Sequence, residues 1–274
     1  MNVGFIGTGT MGTLLIEALI TSGALDPKQI SVSNRTLAKA EALAARYPGL
    51  RAVHSNAEAA ADCELLFLCV KPLEFHKVVG DIASVVCPGQ LVVSITSPVM
   101  ISLLEQRLPC KIAKMIPSIT NSVWSGATLC IYGSRVAEED KDKLESLLKH
   151  ISQPLRIEES FTRIVSDISS CGPAFFAFLL EQFVKAAVEE TGIERGEAVR
   201  VASEMLLGTG LLLTEGGLTP EQIQKRVAVP GGITAQALEL LRQDTAGVFG
   251  RLIRTTHDKY NEDVEKIGEM FGEP

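Results

Sequence analysis

The tightest constraint on this chain lies in its first dozen residues, Met1-Asn2-Val3-Gly4-Phe5-Ile6-Gly7-Thr8-Gly9-Thr10-Met11-Gly12. A short apolar run enters Gly7-x-Gly9-x-x-Gly12, and a helical pattern of Leu14, Leu15, Ala18 and Leu19 follows. Strand, glycine turn and helix in that order are what a dinucleotide needs. Gly7 permits a tight turn, Gly9 leaves the backbone open to a pyrophosphate, and Gly12 lets the helix pack close to the strand. The helix starting near Thr10 points its free N–H groups and positive dipole end at the phosphates. Gly7, Thr8, Gly9, Thr10, Met11 and Gly12 are therefore the expected cofactor loop. A plain turn also carries glycines, but it does not require a strand before and a helix after.

The rest of the first half continues the alternation that this unit begins. Strands are expected at Val3–Ile6, Ile30–Ser33, Leu65–Val70, Leu91–Ile95, Ile112–Ile116 and Thr128–Tyr132, with a last short one at Leu155–Ile157. Helical patterns cover Met11–Thr21, Thr36–Arg46, Leu73–Val86, Ile101–Leu108 and Glu138–His150. Such alternation predicts a parallel sheet with helices on both faces. The class is α/β: an N-terminal Rossmann-type doubly wound sheet over residues 1–160, followed by an all-α domain over residues 161–274. In that second part strand signals vanish. Helices are expected at Pro173–Glu190, Glu197–Glu215, from Thr219-Pro220 onward, at Thr234–Arg242 and at Ala246–Phe271. Pro173 suits a first helical turn. The triplet Leu211-Leu212-Leu213 makes its helix apolar around much of its circumference, and such a helix must be buried. A second subunit is a natural source of cover in so small a domain.

The second strand ends Ser31-Val32-Ser33-Asn34-Arg35-Thr36, where the ribose 2′ position is read in dinucleotide folds. An NAD-preferring site places an acid there to accept the 2′-hydroxyl. Ser33, Asn34 and Arg35 include none, and a guanidinium with hydrogen-bond donors suits a 2′-phosphate. NADP(H) is the expected cofactor. The alternative for Arg35 is a solvated loop charge. Val70-Lys71-Pro72 closes a strand at the carboxyl edge of the sheet, where open α/β folds bind ligands. Cofactor contact is expected there, against the simpler reading of a strand–turn–helix junction.

The balance of 26 basic and 33 acidic residues, net −7, gives no basic footprint for a nucleic acid. No apolar run approaches a membrane span, and no charged n-region of a signal peptide is visible, so a cytoplasmic location without membrane partners is expected. The six cysteines form no CxxC pair and read as reduced thiols, several of them in apolar runs. The four histidines are scattered with no ligand spacing, and no metal is expected.

Four further stretches line up in order: Cys69-Val70-Lys71-Pro72, Met115-Ile116-Pro117-Ser118, Ser169-Ser170-Cys171-Gly172-Pro173-Ala174-Phe175 and Val229-Pro230-Gly231-Gly232-Ile233-Thr234. With the opening glycine motif they resemble the pyrroline-5-carboxylate reductase family over essentially the whole chain. The resemblance implies a Rossmann domain, a helical dimerisation domain, a homodimer or higher homo-oligomer, and NADPH-driven reduction of a cyclic imine to L-proline. Pro230, Gly231, Gly232, Ile233 and Thr234 would bind the substrate, because glycines and backbone N–H groups at a helix start receive a carboxylate. The simpler reading is a helix start with Thr234 as N-cap. By resemblance Thr234 is the catalytic contact, hydrogen-bonding the imine nitrogen or the group that protonates it. The cofactor carries the hydride step, and no strong acid is needed because the imine is basic.

Three stretches depart from the family's usual pattern. Val229 and Ile233 stand where Ser and Thr are usual, Ser118-Ile119-Thr120 replaces Asn-Thr-Pro, and Ser170-Cys171 replaces Gly-Ser. Such a pattern resembles the divergent late-competence (ComER-type) paralogues. Two readings follow: a working imine reductase acting on a small-molecule imine or amino acid, or a dinucleotide-binding regulatory paralogue linked to competence with little or no turnover. A β-hydroxyacid dehydrogenase ranks below both, since Lys185 lacks that family's surrounding motif.

Overall fold

The computed structural model describes residues 1–272; residues 273 and 274, which end the expected second domain, lie outside the described residues. β1 (Val3–Ile6) leads into α1 (Thr10–Thr21), β2 (Ile30–Ser33), α2 (Leu37–Arg46), β3 (Arg51–Ala52), α3 (Asn56–Ala61) and β4 (Leu65–Leu68). Then come α4 (Phe75–Ile82), β5 (Leu91–Ser94), α5 (Ile101–Arg107), β6 (Lys111–Ile116), β7 (Ala127–Tyr132), α6 (Glu138–Leu148) and β8 (Gln153–Arg156). The remaining helices are α7 (Thr162–Ser166), α8 (Gly172–Thr191), α9 (Arg195–Thr214), α10 (Pro220–Val227), α11 (Ile233–Asp244) and α12 (Val248–Phe271).

The eight strands form one sheet in the order β3-β2-β1-β4-β5-β6-β7-β8. The central strands β1, β4 and β5 are buried along their whole length. That is why they read as unbroken apolar runs: helices cover both faces of a parallel sheet. One face packs Phe5, Phe67, Val93 and Met115 over Leu15 and Leu19 of α1. The other packs Ile6, Leu66, Val92 and Ile112 over Phe75, Val79 and Ile82 of α4. Strand order reverses between β1 and β4, so a crevice opens outside their carboxyl ends, where such folds bind ligands.

The expected all-parallel sheet is corrected at one place: β7 runs antiparallel to β6. The connection, residues 117–126, holds only a short 3-10 turn, Ile119–Val123. It closes through Trp124 at φ 56° and Gly126 at φ 80°. A parallel return needs a crossover of a dozen residues or more, usually a helix. Lys114 of β6 is fully buried. Its Nζ donates to Glu159 at 2.6 Å and to the Ser97 carbonyl at 3.0 Å. Burial lowers its pKa, and Glu159 opposes that shift.

Pro173 does not begin a helix. Helix runs from Thr162 through a π turn at Asp167–Cys171 into α8, with Pro173 inside it. A proline in a helix interior lacks the N–H for its own rung and crowds the preceding turn. The π turn just before it is the local rearrangement that accommodates both. The joined helix Glu159–Thr191 is long and apolar enough, by length and composition, to cross a membrane, where the sequence reading saw no such run.

Two compact units result among the described residues: Met1–Pro173 together with residues 255–272, and Ala174–Arg254. The end of α12 lies in the first unit, where Ile267 and Phe271 join the sheet's core. In the second unit the buried core is small: Val184, Ala198 and Ala202, with Leu180 and Ile193 against them. Phe176, Phe183, Leu206, Leu207, Leu211 and Leu212 are all exposed. Much of the apolar circumference of α9 is thus left uncovered among the described residues.

Candidate dinucleotide cleft and substrate loop

The three glycines divide their work as elementary sterics requires. Gly7 has φ 99°, a left-handed backbone that disfavours any side chain, and a Cβ there would lie 2.5 Å from the Cys69 carbonyl oxygen. A Cβ on Gly12 would collide with the carbonyl oxygen of Gly7. Around Gly9 a Cβ would meet nothing within 4 Å. The loop is therefore closed on its inner side and open at its middle glycine. Gly9 is the N-cap of α1 and no side chain caps that helix, so the first N–H groups are left for a ligand. The Thr8 hydroxyl beside them is buried without a hydrogen-bond partner. An orphaned hydroxyl and an uncapped helix start fit a pyrophosphate.

From this loop a cleft of about 780 Å³ extends over the ends of β1, β2 and β4. Gly7, Gly9, Ser33, Asn34, Arg35, Val70 and Lys71 all line it. Thr8 and Thr10 line an adjoining hollow on the α1–α2 side. Met11, Gly12 and Pro72 line neither: Met11 and Gly12 lie in the first turn of α1, and Pro72 starts the 3-10 turn Pro72–Glu74. The three residues at the end of β2 have distinct situations. Asn34 is a brace, its Oδ1 accepting the Thr8 N–H at 3.1 Å and its Nδ2 donating to the Thr36 carbonyl at 2.9 Å. Ser33 is buried and donates to Asn56 Oδ1 at 2.7 Å. Only Arg35 reaches outward, 82% exposed, with its Nη1 2.7 Å from Glu74.

Among the lining residues missed in the sequence are Lys39, Asn56, Glu74, Lys77 and Asp81. Lys77 and Asp81 form an i,i+4 pair at 2.7 Å, and Asn56 Nδ2 donates to the same carboxylate at 2.9 Å. The Lys77 hydrogen bond holds the Asp81 carboxyl below its ordinary range. A signal for Asn56 existed in Ser55-x-x-Glu58, since Ser55 caps α3 through the Glu58 N–H. Nothing in the sequence placed Glu74 opposite Arg35.

Two of the remaining motif stretches meet in the first unit. Ser118 Oγ donates to the Ser169 carbonyl at 2.9 Å, and Ser170 Oγ to the Pro117 carbonyl at 2.8 Å. The π turn is thereby tied to the end of β6. In the second unit, Gly231 has φ 74° and the Gly232 N–H closes onto the Val229 carbonyl at 3.0 Å. Gly232, not Thr234, is the N-cap of α11, and no side chain caps it. The neighbouring α10 shows the contrast, with Thr219 and Gln222 in a full capping box. Thr234 is the second helical residue and half-buried, while Ile233 is 90% exposed. Lys185 is exposed and sits 3.8 Å from Glu189 one turn along.

Residues 159–263 match a pyrroline-5-carboxylate reductase dimerisation model. Residues 2–98 match a model described as NADP oxidoreductase, coenzyme F420-dependent. The chain is 40% identical over 271 residues to ComE operon protein 4 of Bacillus subtilis (strain 168), covering 99% of each. It is 30% identical over 246 residues to pyrroline-5-carboxylate reductase 3 of Rattus norvegicus, covering 88% of each. The chain belongs to the pyrroline-5-carboxylate reductase family. A solved pyrroline-5-carboxylate reductase from Coxiella burnetii has the same fold, with TM-score 0.82 at 26% identity over 98% of both chains. Residues 2–98 thus belong to an NADP oxidoreductase domain and residues 159–263 to a dimerisation domain.

Proposed function

We propose that the protein is an NADPH-dependent reductase of a cyclic imine, forming L-proline or a close relative. The division of labour falls near residue 160, with cofactor binding before it and dimerisation and substrate binding after it. The observation that carries this reading is the cleft joining the open Gly9 loop to Arg35. NADPH, when bound, supplies the hydride that reduces a C=N bond.

The chain's own residues do the positioning. Backbone N–H groups after Gly9 and the Thr8 hydroxyl hold the pyrophosphate. Asn34 and Ser33 brace the loop against β2 and α3, and Arg35 takes the 2′-phosphate. Val70 and Lys71 close the cleft at the end of β4, and Pro72 starts the turn that carries Glu74 to its rim. Pro230, Gly231, Gly232, Ile233 and Thr234 receive the substrate carboxylate on the uncapped N-terminus of α11. The Thr234 hydroxyl, on the first turn, holds the imine nitrogen or its proton donor. Desolvation and orientation of this kind are what a protein adds to cofactor chemistry. A homodimer or higher homo-oligomer in the cytoplasm covers the apolar faces of α8 and α9.

A second reading is favoured by the relative at 40% identity and by Val229 and Ile233 at the substrate loop: a dinucleotide-binding regulatory paralogue with little turnover. The test is NADPH oxidation against a panel of cyclic imines and 2-oxo acids. Saturable oxidation with a cyclic imine supports the reductase. NADPH binding without oxidation across the panel supports the regulatory paralogue.

A further inference from the structure

We propose that Glu74 sets the balance between NADPH and NADH by competing with the cofactor for Arg35. This rests on the cleft being the dinucleotide site. Arg35 follows β2, and Glu74 ends the 3-10 turn after β4. The two residues therefore face each other across the topological switch point, with Arg35 Nη1 2.7 Å from Glu74 Oε1. Both line the cleft.

The other charges of the cleft are disposed differently. Lys77 is occupied by Asp81, which Asn56 also holds. Lys39 and Lys71 carry no ion pair among the described residues. Glu74 is therefore the acid that bears on the cation at the ribose position. Its side chain is partly exposed and that of Arg35 largely so. Exposed pairs of this kind are held weakly, so the guanidinium can exchange partners.

Two consequences follow from the chemistry. A 2′-phosphate, doubly charged and with several acceptor oxygens, takes Arg35 from a single carboxylate. The displaced carboxylate then lies within one ion-pair length of the phosphate and repels it. Without that phosphate, the carboxylate stays on Arg35 and can accept the ribose 2′-hydroxyl. That role belongs to an acid at the end of β2 in NAD-preferring sites. This chain lacks the acid on β2 and supplies one from the opposite side of the crevice. Glu74 thus weakens NADPH and favours NADH, whereas Arg35 strengthens NADPH.

The test is the dissociation constants of NADPH, NADH, 2′,5′-ADP and 5′-AMP for the full chain and for Glu74→Gln. Removing the charge should tighten the two 2′-phosphorylated ligands and leave the others level or weaker. The ratio of NADH to NADPH dissociation constants should rise by more than about threefold. Glu74→Ala should move the ratio the same way, which keeps the test decisive if the glutamine variant fails to fold. A rise of about threefold or less in the folded variants overturns the inference alone. Failure of the unaltered protein to bind either NADPH or 2′,5′-ADP overturns the cleft reading and this inference with it.

Discussion

Gly9→Ala separates fold from function at the cofactor loop. Gly9 sits at φ −73° and ψ −171°, a backbone that alanine adopts freely. A Cβ there meets nothing within 4 Å, so the methyl enters open space. Replacing Gly by Ala at an N-cap costs a few tenths of a kcal/mol up to about 1, and the stiffer unfolded chain returns a similar amount. The melting temperature should therefore barely move. The cofactor responds differently, because the methyl occupies the path by which a pyrophosphate reaches the α1 N–H groups. Losing one charge-assisted hydrogen bond costs about 1.5–3 kcal/mol, roughly a tenfold to hundredfold rise in Kd for NADPH. Gly12→Ala is the control. Its Cβ collides with the Gly7 carbonyl oxygen, and overpacking of that kind costs about 1–3 kcal/mol of stability. Titration calorimetry with NADPH beside thermal melts reads both. Wild-type NADPH affinity in a folded Gly9→Ala protein refutes the argument that Gly9 is the pyrophosphate approach.

Three further outcomes are expected. Arg35→Ala should weaken NADPH by about tenfold, a value lowered for its exposure, and leave NADH nearly unchanged; equal losses for both count against a 2′-phosphate contact. Val229→Ser combined with Ile233→Thr restores two hydroxyls beside the uncapped start of α11. One regained charged hydrogen bond should raise proline formation about tenfold or more at unchanged NADPH affinity, measured as kcat/KM. Glu159→Gln strands the buried Lys114 ammonium and should cost about 3–5 kcal/mol in denaturant unfolding. Lys114→Met in the same chain should recover much of that, and no recovery would show that the cost lies elsewhere, for example in the Ile101 N–H that Glu159 also accepts.

Most of the sheet was legible because a strand buried on both faces must be apolar throughout, as Leu65–Leu68 and Leu91–Ser94 are. β3 and α3 escaped because two residues and a run of alanines carry little periodicity. The reversed β7 escaped because apolar pattern has no direction; only the brevity of residues 117–126 encodes it. Pro173 misled for a specific reason. Its missing N–H is absorbed by a π turn instead of a helix start, and nothing local in the sequence distinguishes the two. At the cleft, the glycines, Ser33, Asn34 and Arg35 were readable from spacing to one motif. Glu74 was not, since its partnership with Arg35 exists only once β1 separates β2 from β4. The apolar belt from Leu206 to Leu213 was readable, and it stands exposed among the described residues.

The measurement that bears most directly on the proposed activity is the stoichiometry of a single reaction. The protein is incubated with NADPH and 1-pyrroline-5-carboxylate, and cofactor consumed and proline formed are quantified together. One proline is expected for each NADPH oxidised, saturable in the imine and much slower with NADH. NADPH that binds the cleft but is not consumed, under conditions where a family member turns over, would contradict the proposed activity.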